Sequence, residues 1–190
     1  MRPLWRCRDT RDFMALMGTG CAFLCGEGVL VRPMMEGGTG SLSIQQEMPD
    51  FLPDRLESGT HNMPGIAGLL EGVRFVQSRG LREISDRERR MALVMAEGLR
   101  EIRKMRVFAA PGLRNQTGVL SIVPEGQDVE SVGQMLSERE VAVRTGIHCA
   151  PLAHRSAGTL DTGTIRLSFS DFNTPEEVFQ VLEIFRGLQH

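Results

Sequence analysis

Tyrosine is missing from this chain, tryptophan and lysine occur once each, and aromatic residues make up only 5% of its 190 positions. The 22 basic residues are scattered among 24 acidic ones, leaving a formal charge of −2. Without a stacking platform or a basic stripe, nothing signals a nucleic-acid partner. No apolar run approaches membrane-spanning length, so no membrane role is expected. The charged opening Met1-Arg-Pro-Leu-Trp-Arg-Cys-Arg-Asp-Thr-Arg-Asp12 lacks the continuous apolar segment of a secretion signal. The four cysteines, Cys7, Cys21, Cys25 and Cys149, make no disulfide framework, which suits a reducing cytoplasm. Cys21 and Cys25 are the one close pair. Their spacing is not that of a zinc ribbon and no second pair completes a site, so Cys21-Ala-Phe-Leu-Cys25 reads as a buried strand and no metal is expected.

What is present concentrates in Val141-Ala-Val-Arg-Thr-Gly-Ile-His-Cys-Ala-Pro-Leu-Ala-His154. Val141 to Val143 read as the end of a strand, Arg144 is a fixed cation just past it, and Gly146 permits a sharp turn. Cys149 then falls on a loop beside His148 and near Arg144, His154 and Arg155. Neighbouring cations favour the thiolate, the nucleophilic form of cysteine. The same residue also reads as a small buried hydrophobe, with Pro151 marking no more than a turn.

The rest of the chain has ordinary apolar content, enough for a sizeable core in one or two domains. Apolar spacing predicts a core helix from Pro64 or Gly65 to Ser78, ended by Gly80, and a longer one from Leu81 to Met105. Strands are expected at Val107 to Ala109, Thr117 to Val123, Val141 to Arg144 and Thr164 to Ser168. A helix N-capped by Asp128 and another opened by the capping box Thr174-Pro-Glu-Glu177 cover the sheet. Glu36-Gly-Gly-Thr-Gly-Ser41 reads either as a nest of phosphate-cradling amides or as a flexible turn.

Arg144-Thr-Gly-Ile-His-Cys-Ala-Pro151, followed by Leu-Ala-His154 and by Gly163-Thr-Ile-Arg166-Leu-Ser-Phe-Ser-Asp-Phe-Asn-Thr174, resembles the C-terminal part of class V pyridoxal-phosphate enzymes, and among them the cysteine desulfurases. The match extends back through Leu52-Pro-Asp-Arg-Leu-Glu-Ser-Gly-Thr-His-Asn-Met-Pro-Gly-Ile-Ala-Gly-Leu69 and Glu36 to Ser41, covering roughly residues 15 to 190. The resemblance implies an α/β protein, the C-terminal part of a type I pyridoxal-phosphate-dependent transferase fold. Residues 1–79 would be the remnant of the cofactor-binding large domain, and residues 80–190 a small α/β domain carrying the cysteine loop. It further implies Cys149 as the nucleophile that takes sulfur from L-cysteine, leaving alanine and a persulfide, with His148 beside it. Arg166 would clamp the carboxylate of the amino-acid substrate with help from Arg144, and Gly59 and Thr60 would reach the phosphate of pyridoxal 5'-phosphate across a homodimer interface. A sulfur-acceptor protein is the implied partner.

Two departures accompany the resemblance. Where the family carries its aldimine lysine this chain reads Phe13-Met14-Ala-Leu-Met-Gly-Thr-Gly20, which puts Met14, without an amine, at that position. The single lysine, Lys104, sits in a charged run near an expected helix end. Ile147 stands where desulfurases with this loop carry a second histidine. The expectation is therefore a desulfurase-like polypeptide that is truncated and inactive alone. A non-catalytic remnant or dimerising module, selenocysteine lyase activity and transamination are the alternatives. A half-size relic should also leave an apolar face uncovered before residue 80.

Overall fold

The computed structural model describes residues 4–8, 18–24, 31–42 and 44–188. It divides into two compact units, Met1–Arg79 and Gly80–His190.

In the first unit, strand β1 (Leu4–Arg8) pairs antiparallel with β2 (Gly20–Leu24), in register from Leu4 opposite Leu24 to Arg8 opposite Gly20. Cys21 lies on β2 and is partly buried, while Cys25 and Met14 fall outside the described residues. Helix α1 (Met63–Arg79) begins where Asn62 Oδ1 accepts a hydrogen bond from the Gly65 amide. Gly65 is obligatory at this point, because a Cβ there would sit 2.4 Å from Thr19 Cγ2. The expectation that α1 buries its apolar stripe is corrected by the structure. Only Gly65 and Gly72 are buried, while Ile66 and Leu70 remain 45% and 49% exposed. Leu69, Val73, Phe75 and Val76 of the same stripe are partly buried, so among the described residues the face is covered only in part.

The second unit is an antiparallel sheet with helices against one face. Its strands are β3 (Met105–Phe108), β4 (Val119–Pro124), β5 (Arg144–Gly146) and β6 (Thr164–Ser168), in the spatial order β3-β4-β6-β5. Helices α2 (Leu81–Arg100), α3 (Val129–Glu138), α4 (Pro151–Ala157) and α5 (Pro175–Gly187) complete it. The α/β class expected from sequence is observed. Leu120 pairs with Leu167 and Ile122 with Ile165, so these four share one face. All are at most 5% exposed and form one core with Met95 and Leu99 of α2, Leu136 of α3 and Phe185 of α5. Each such side chain contributes roughly 1.5–3 kcal/mol by leaving water. Helices α2 and α5 approach closely at Gly98, where a Cβ would meet Leu182 Cδ1 at 2.7 Å.

Both expected caps are present. Asp128 Oδ2 accepts from the Ser131 amide at 2.9 Å, and Thr174 with Glu177 makes the reciprocal capping box. These bonds hold the Asp128 and Glu177 carboxyls below their ordinary range, Asp128 through Ser131 first and Glu177 through Asn173 first. Both contributions are lost as pH falls through the depressed values. Glu88 on α2 behaves in the opposite way. Burial raises its carboxyl above the usual glutamate value of 4.5, and the nearby Asp171 charge raises it further. The folded state therefore prefers Glu88 protonated, and stability declines as pH rises from about 4.5 through the raised value. A Glu88→Gln chain is expected to be more stable than the parent at neutral pH. Urea unfolding at several pH values checks this, since the advantage should vanish below pH 4.5, where both side chains are neutral.

Strands β3 and β4 are shifted by one or two residues from the expected Val107 to Ala109 and Thr117 to Val123, and two boundaries differ by more. Helix α2 stops at Arg100 rather than Met105, and in the turn that follows Lys104 takes a left-handed conformation (φ 61°) just before β3. The edge strand is Arg144–Gly146 rather than Val141 to Arg144. Val141 and Val143 pack partly buried against the core, and their apolarity reflects that burial rather than ladder pairing.

Candidate functional site

Alternation along the sheet puts Thr145 on the helix-covered side with its partner Ile165, and Arg144 on the opposite side with its partner Arg166. Ser121 of β4 continues that row, since it is the other cross-strand partner of Arg166. Two guanidinium groups thus stand side by side on the open face. Arg166 is half-buried, its Nε has no hydrogen-bond partner, and among the described residues no carboxylate pairs with it. Like charges directly opposite one another repel, and an anion held between them would offset that repulsion.

The chain leaves β5 through Gly146 (φ 95°) and turns back over the open face. His148 and Cys149 follow in consecutive left-handed conformations, φ 54° and 59°. Neither has glycine's freedom, so this turn is strained, as is common where a fold presents a reactive group. The strain lifts the Cys149 thiol into solvent, where Arg144 Nη2 approaches Sγ at 3.9 Å. The buried-hydrophobe reading of Cys149 is excluded by its exposure.

Helix α4 holds the far side of the loop. Pro151 occupies its first turn and Gly158, left-handed at φ 67°, closes it. Arg106, stacked on the Phe108 ring at 4.6 Å, donates to the Ala157 carbonyl and ties this helix to β3. Sequence reasoning missed α4. The signal was a proline and a glycine framing seven residues, too short for apolar periodicity to register.

The hydrogen bond of His148 goes to β6 rather than to the thiol. Its Nε2 lies 3.0 Å from Thr164 Oγ1 and its Nδ1 is buried without a partner. Burial first, then the Arg166 charge, pushes the imidazole below its usual 6.5, against the hydrogen bond to Thr164. The ring is held neutral at pH 7, so the positive charge at the thiol is that of Arg144. His154 is buried, with Nδ1 2.9 Å from Thr159 Oγ1, and serves as a packing residue under the loop. Thr164, quoted within a motif but given no role, and Thr159, outside every motif, are the groups that orient the two rings.

Gly163 fixes the height of this loop. It is left-handed at φ 67°, and a Cβ there would sit 2.9 Å from Gly146 Cα and 3.1 Å from its carbonyl carbon, both backbone atoms. A Gly163→Ala chain is expected to lose at least about 1–2 kcal/mol from the left-handed conformation alone. The displaced Gly146 would carry Cys149 away from Arg144. Urea denaturation measures the first effect and the alkylation rate of Cys149 the second.

Gly59 and Thr60 belong to the first unit. Gly59 is left-handed (φ 82°), and its amide donates to the Gly38 carbonyl at 2.8 Å, which joins the two glycine-containing segments. The amide expected to meet a cofactor phosphate is therefore already engaged. Thr60 is exposed, between His61 and Glu57, whose Nδ1 and Oε2 are 2.9 Å apart.

Pyridoxal phosphate, the cofactor implied by the resemblance, does not fit the residues of this chain. Lys104, the one lysine, lines a cleft with Gly126, Gln127 and Leu188, and none of Cys149, His148, Arg144 and Arg166 borders that cleft. Among the described residues no cluster of histidine, cysteine and carboxylate side chains could hold a metal ion.

Comparison with known proteins follows the same outline. The family model for aminotransferase class-V matches residues 15–181. A protein named probable cysteine desulfurase 2, from Mycobacterium leprae, is 30% identical over 178 residues, which are 88% of this chain and 42% of that protein. The cysteine desulfurase of Synechococcus elongatus is 32% identical over 177 residues, 90% of this chain and 28% of its own length. The apo structure of cysteine desulfurase from Thermococcus onnurineus superimposes with a TM-score of 0.85 at 27% identity, covering 98% of this chain and 46% of that one. The chain spans less than half the length of each of these relatives.

Proposed function

The chain belongs to the class-V aminotransferase family, and on that premise we propose that it is the sulfur-accepting lobe of a cysteine desulfurase. One observation carries the reading: a solvent-exposed thiol on a strained loop, 3.9 Å from an arginine that itself faces an unpaired arginine. Arg166 and Arg144 hold the carboxylate of L-cysteine on the open face of the sheet, which brings the substrate sulfur toward Cys149. The Cys149 thiolate forms a sulfur–sulfur bond as the substrate carbon–sulfur bond breaks. The electron pair stays on carbon, which takes a proton to become alanine, and the persulfide waits on an exposed loop for an acceptor protein. His148, held neutral and bound to Thr164, supports the loop.

Pyridoxal phosphate is the electron sink of this reaction class, but among the described residues no lysine stands near Cys149 to hold it. Alanine formation therefore requires a lysine supplied from outside these 190 residues, and this lobe alone is inactive. A reducing cytoplasm is the setting in which an exposed thiol of this kind would persist.

The test separates sulfur acceptance from catalysis. The full chain is incubated with glutathione persulfide, and sulfur on the Cys149 peptide is read by mass spectrometry. In parallel it is given L-cysteine and pyridoxal phosphate, and alanine is assayed. Sulfur is expected on Cys149, absent in Cys149→Ala, with no alanine above the background of free cofactor. Alanine that depends on Cys149 would show a self-sufficient enzyme and remove the need for an outside lysine. Sulfur found on the other cysteines but not on Cys149 would remove the acceptor role, leaving a non-catalytic module.

A further inference from the structure

The short edge strand that carries Arg144 has little to hold it. Strand β5 is three residues long and hydrogen-bonded on one side only, to β6. Register in so short a strand is weakly specified, and a slip of one residue would turn Arg144 from the open face into the core. What prevents this lies on the other face. Thr145 Oγ1 donates to Glu130 Oε2 at 2.5 Å, and Thr145 Cγ2 fills the space where a Cβ on Gly133 would sit at 2.4 Å. Glu130 Oε1 also lies 3.5 Å from the position a Gly146 Cβ would take, so the carboxylate spans the second half of the strand. Glu130 is itself fixed. It occupies the first turn of α3, where Asp128 accepts from both the amide and the hydroxyl of Ser131 at 2.9 Å. A helix N-terminus also favours a carboxylate in that turn.

We propose that Glu130 is a positioning residue for the sulfur-accepting thiol: its hydrogen bond to Thr145 holds the register of β5 and thereby keeps the Arg144 guanidinium beside Cys149. The inference rests on the reading of Cys149 as the acceptor thiol. Glu130 touches neither substrate nor thiol. Its effect passes through Thr145 to the neighbouring residue on the opposite face.

The readout is charge selectivity at Cys149. Peptide-resolved alkylation of the full chain is measured with iodoacetate, an anion, and with neutral iodoacetamide, and the ratio of the two rates is taken. An arginine beside the sulfur raises this ratio, and Arg144→Gln sets the value without it. Glu130→Ala and Thr145→Val are each expected to lower the wild-type ratio about two- to fivefold, the scale of an exposed charge interaction. Thr145→Ser, which keeps the donor, should retain it, and Glu130→Gln, which keeps an acceptor but loses the charge, should leave it at or above the wild-type value. Glu130→Ala added to Arg144→Gln should lower it no further.

The sign is diagnostic. Removing an exposed negative charge without moving Arg144 would raise the ratio, so a rise or no change in a folded Glu130→Ala chain would overturn the proposal. Should Glu130→Ala fail to fold, the Thr145→Val and Thr145→Ser pair reads the same bond from its other end. Equal ratios in wild type and Arg144→Gln would instead sink the pairing of thiol and arginine itself, a separate outcome.

Discussion

An Arg166→Met chain is expected to be more stable than the parent in an anion-poor buffer, by about 1–3 kcal/mol, the cost of a buried donor left without a partner. Arg166 occupies the middle of β6 with Arg144 opposite it on one side and Ser121 on the other. Its Nε is buried with no partner. A guanidinium in that position gives up part of its hydration without an ion pair in return, and it repels Arg144 across the ladder. Methionine keeps the unbranched stem and removes both penalties.

The reverse should hold when a carboxylate is present. An anion that binds the folded state at a hundred times its dissociation constant stabilises it by about 2.7 kcal/mol, and Arg166→Met should forfeit that gain. Urea unfolding of both chains with increasing L-alanine, an unreactive amino acid carboxylate, tests the two halves together. The parent midpoint should climb and the variant midpoint should stay level. If the variant is the less stable chain and alanine moves neither midpoint, Arg166 is structural, and the substrate-binding role falls with it.

Where the sequence foretold the fold, the signal was local. Asp128 and Thr174 cap helices because a short polar side chain meets a free amide two or three positions on, an interaction written within four residues. Thr164 to Ser168 was legible as a strand for a similar reason, its alternation reporting two faces of one sheet. The misreadings share a different cause. Val141 and Val143 are apolar because they pack on the core, yet the ladder starts only at Arg144, and no window of sequence distinguishes those two situations. In α1 the stripe of Ile66 and Leu70 predicted burial that the first unit does not supply.

The candidate site divides in the same way. Cys149 and Arg144 lie five residues apart and could be paired on paper. Arg166 was brought to the site by the family resemblance alone, whereas Thr164 and Glu130 reach it through strand order and helix docking, which show only once β6 is seen inserted between β4 and β5. His148 shows the limit most plainly. Adjacent to the cysteine in sequence, it is bonded instead to Thr164, 16 residues further along the chain on β6.

A Phe185→Ala chain is expected to lose about 3–5 kcal/mol of stability, the usual cost of deleting a buried aromatic side chain and leaving its cavity. Phe185 is 0% exposed on α5 and belongs to the core that α2, α3, α5 and the covered face of the sheet share. The loss is close to the whole stability of a marginal domain. Its unfolding midpoint in urea should therefore fall sharply, and a drop below about 1 kcal/mol would mean the core relaxes around the cavity far more than a close-packed interior allows. The informative comparison is with the thiol. Phe185 lies under the helix-covered face, whereas Arg144, Arg166 and Cys149 occupy the open one. In that fraction of Phe185→Ala molecules still folded, Cys149 should keep its preference for iodoacetate over iodoacetamide. Glu130→Ala should show the opposite pattern, a modest stability change with the preference lost. Two faces of one four-stranded sheet would then be seen to divide the work, one carrying the stability of the unit and the other the chemistry of the thiol.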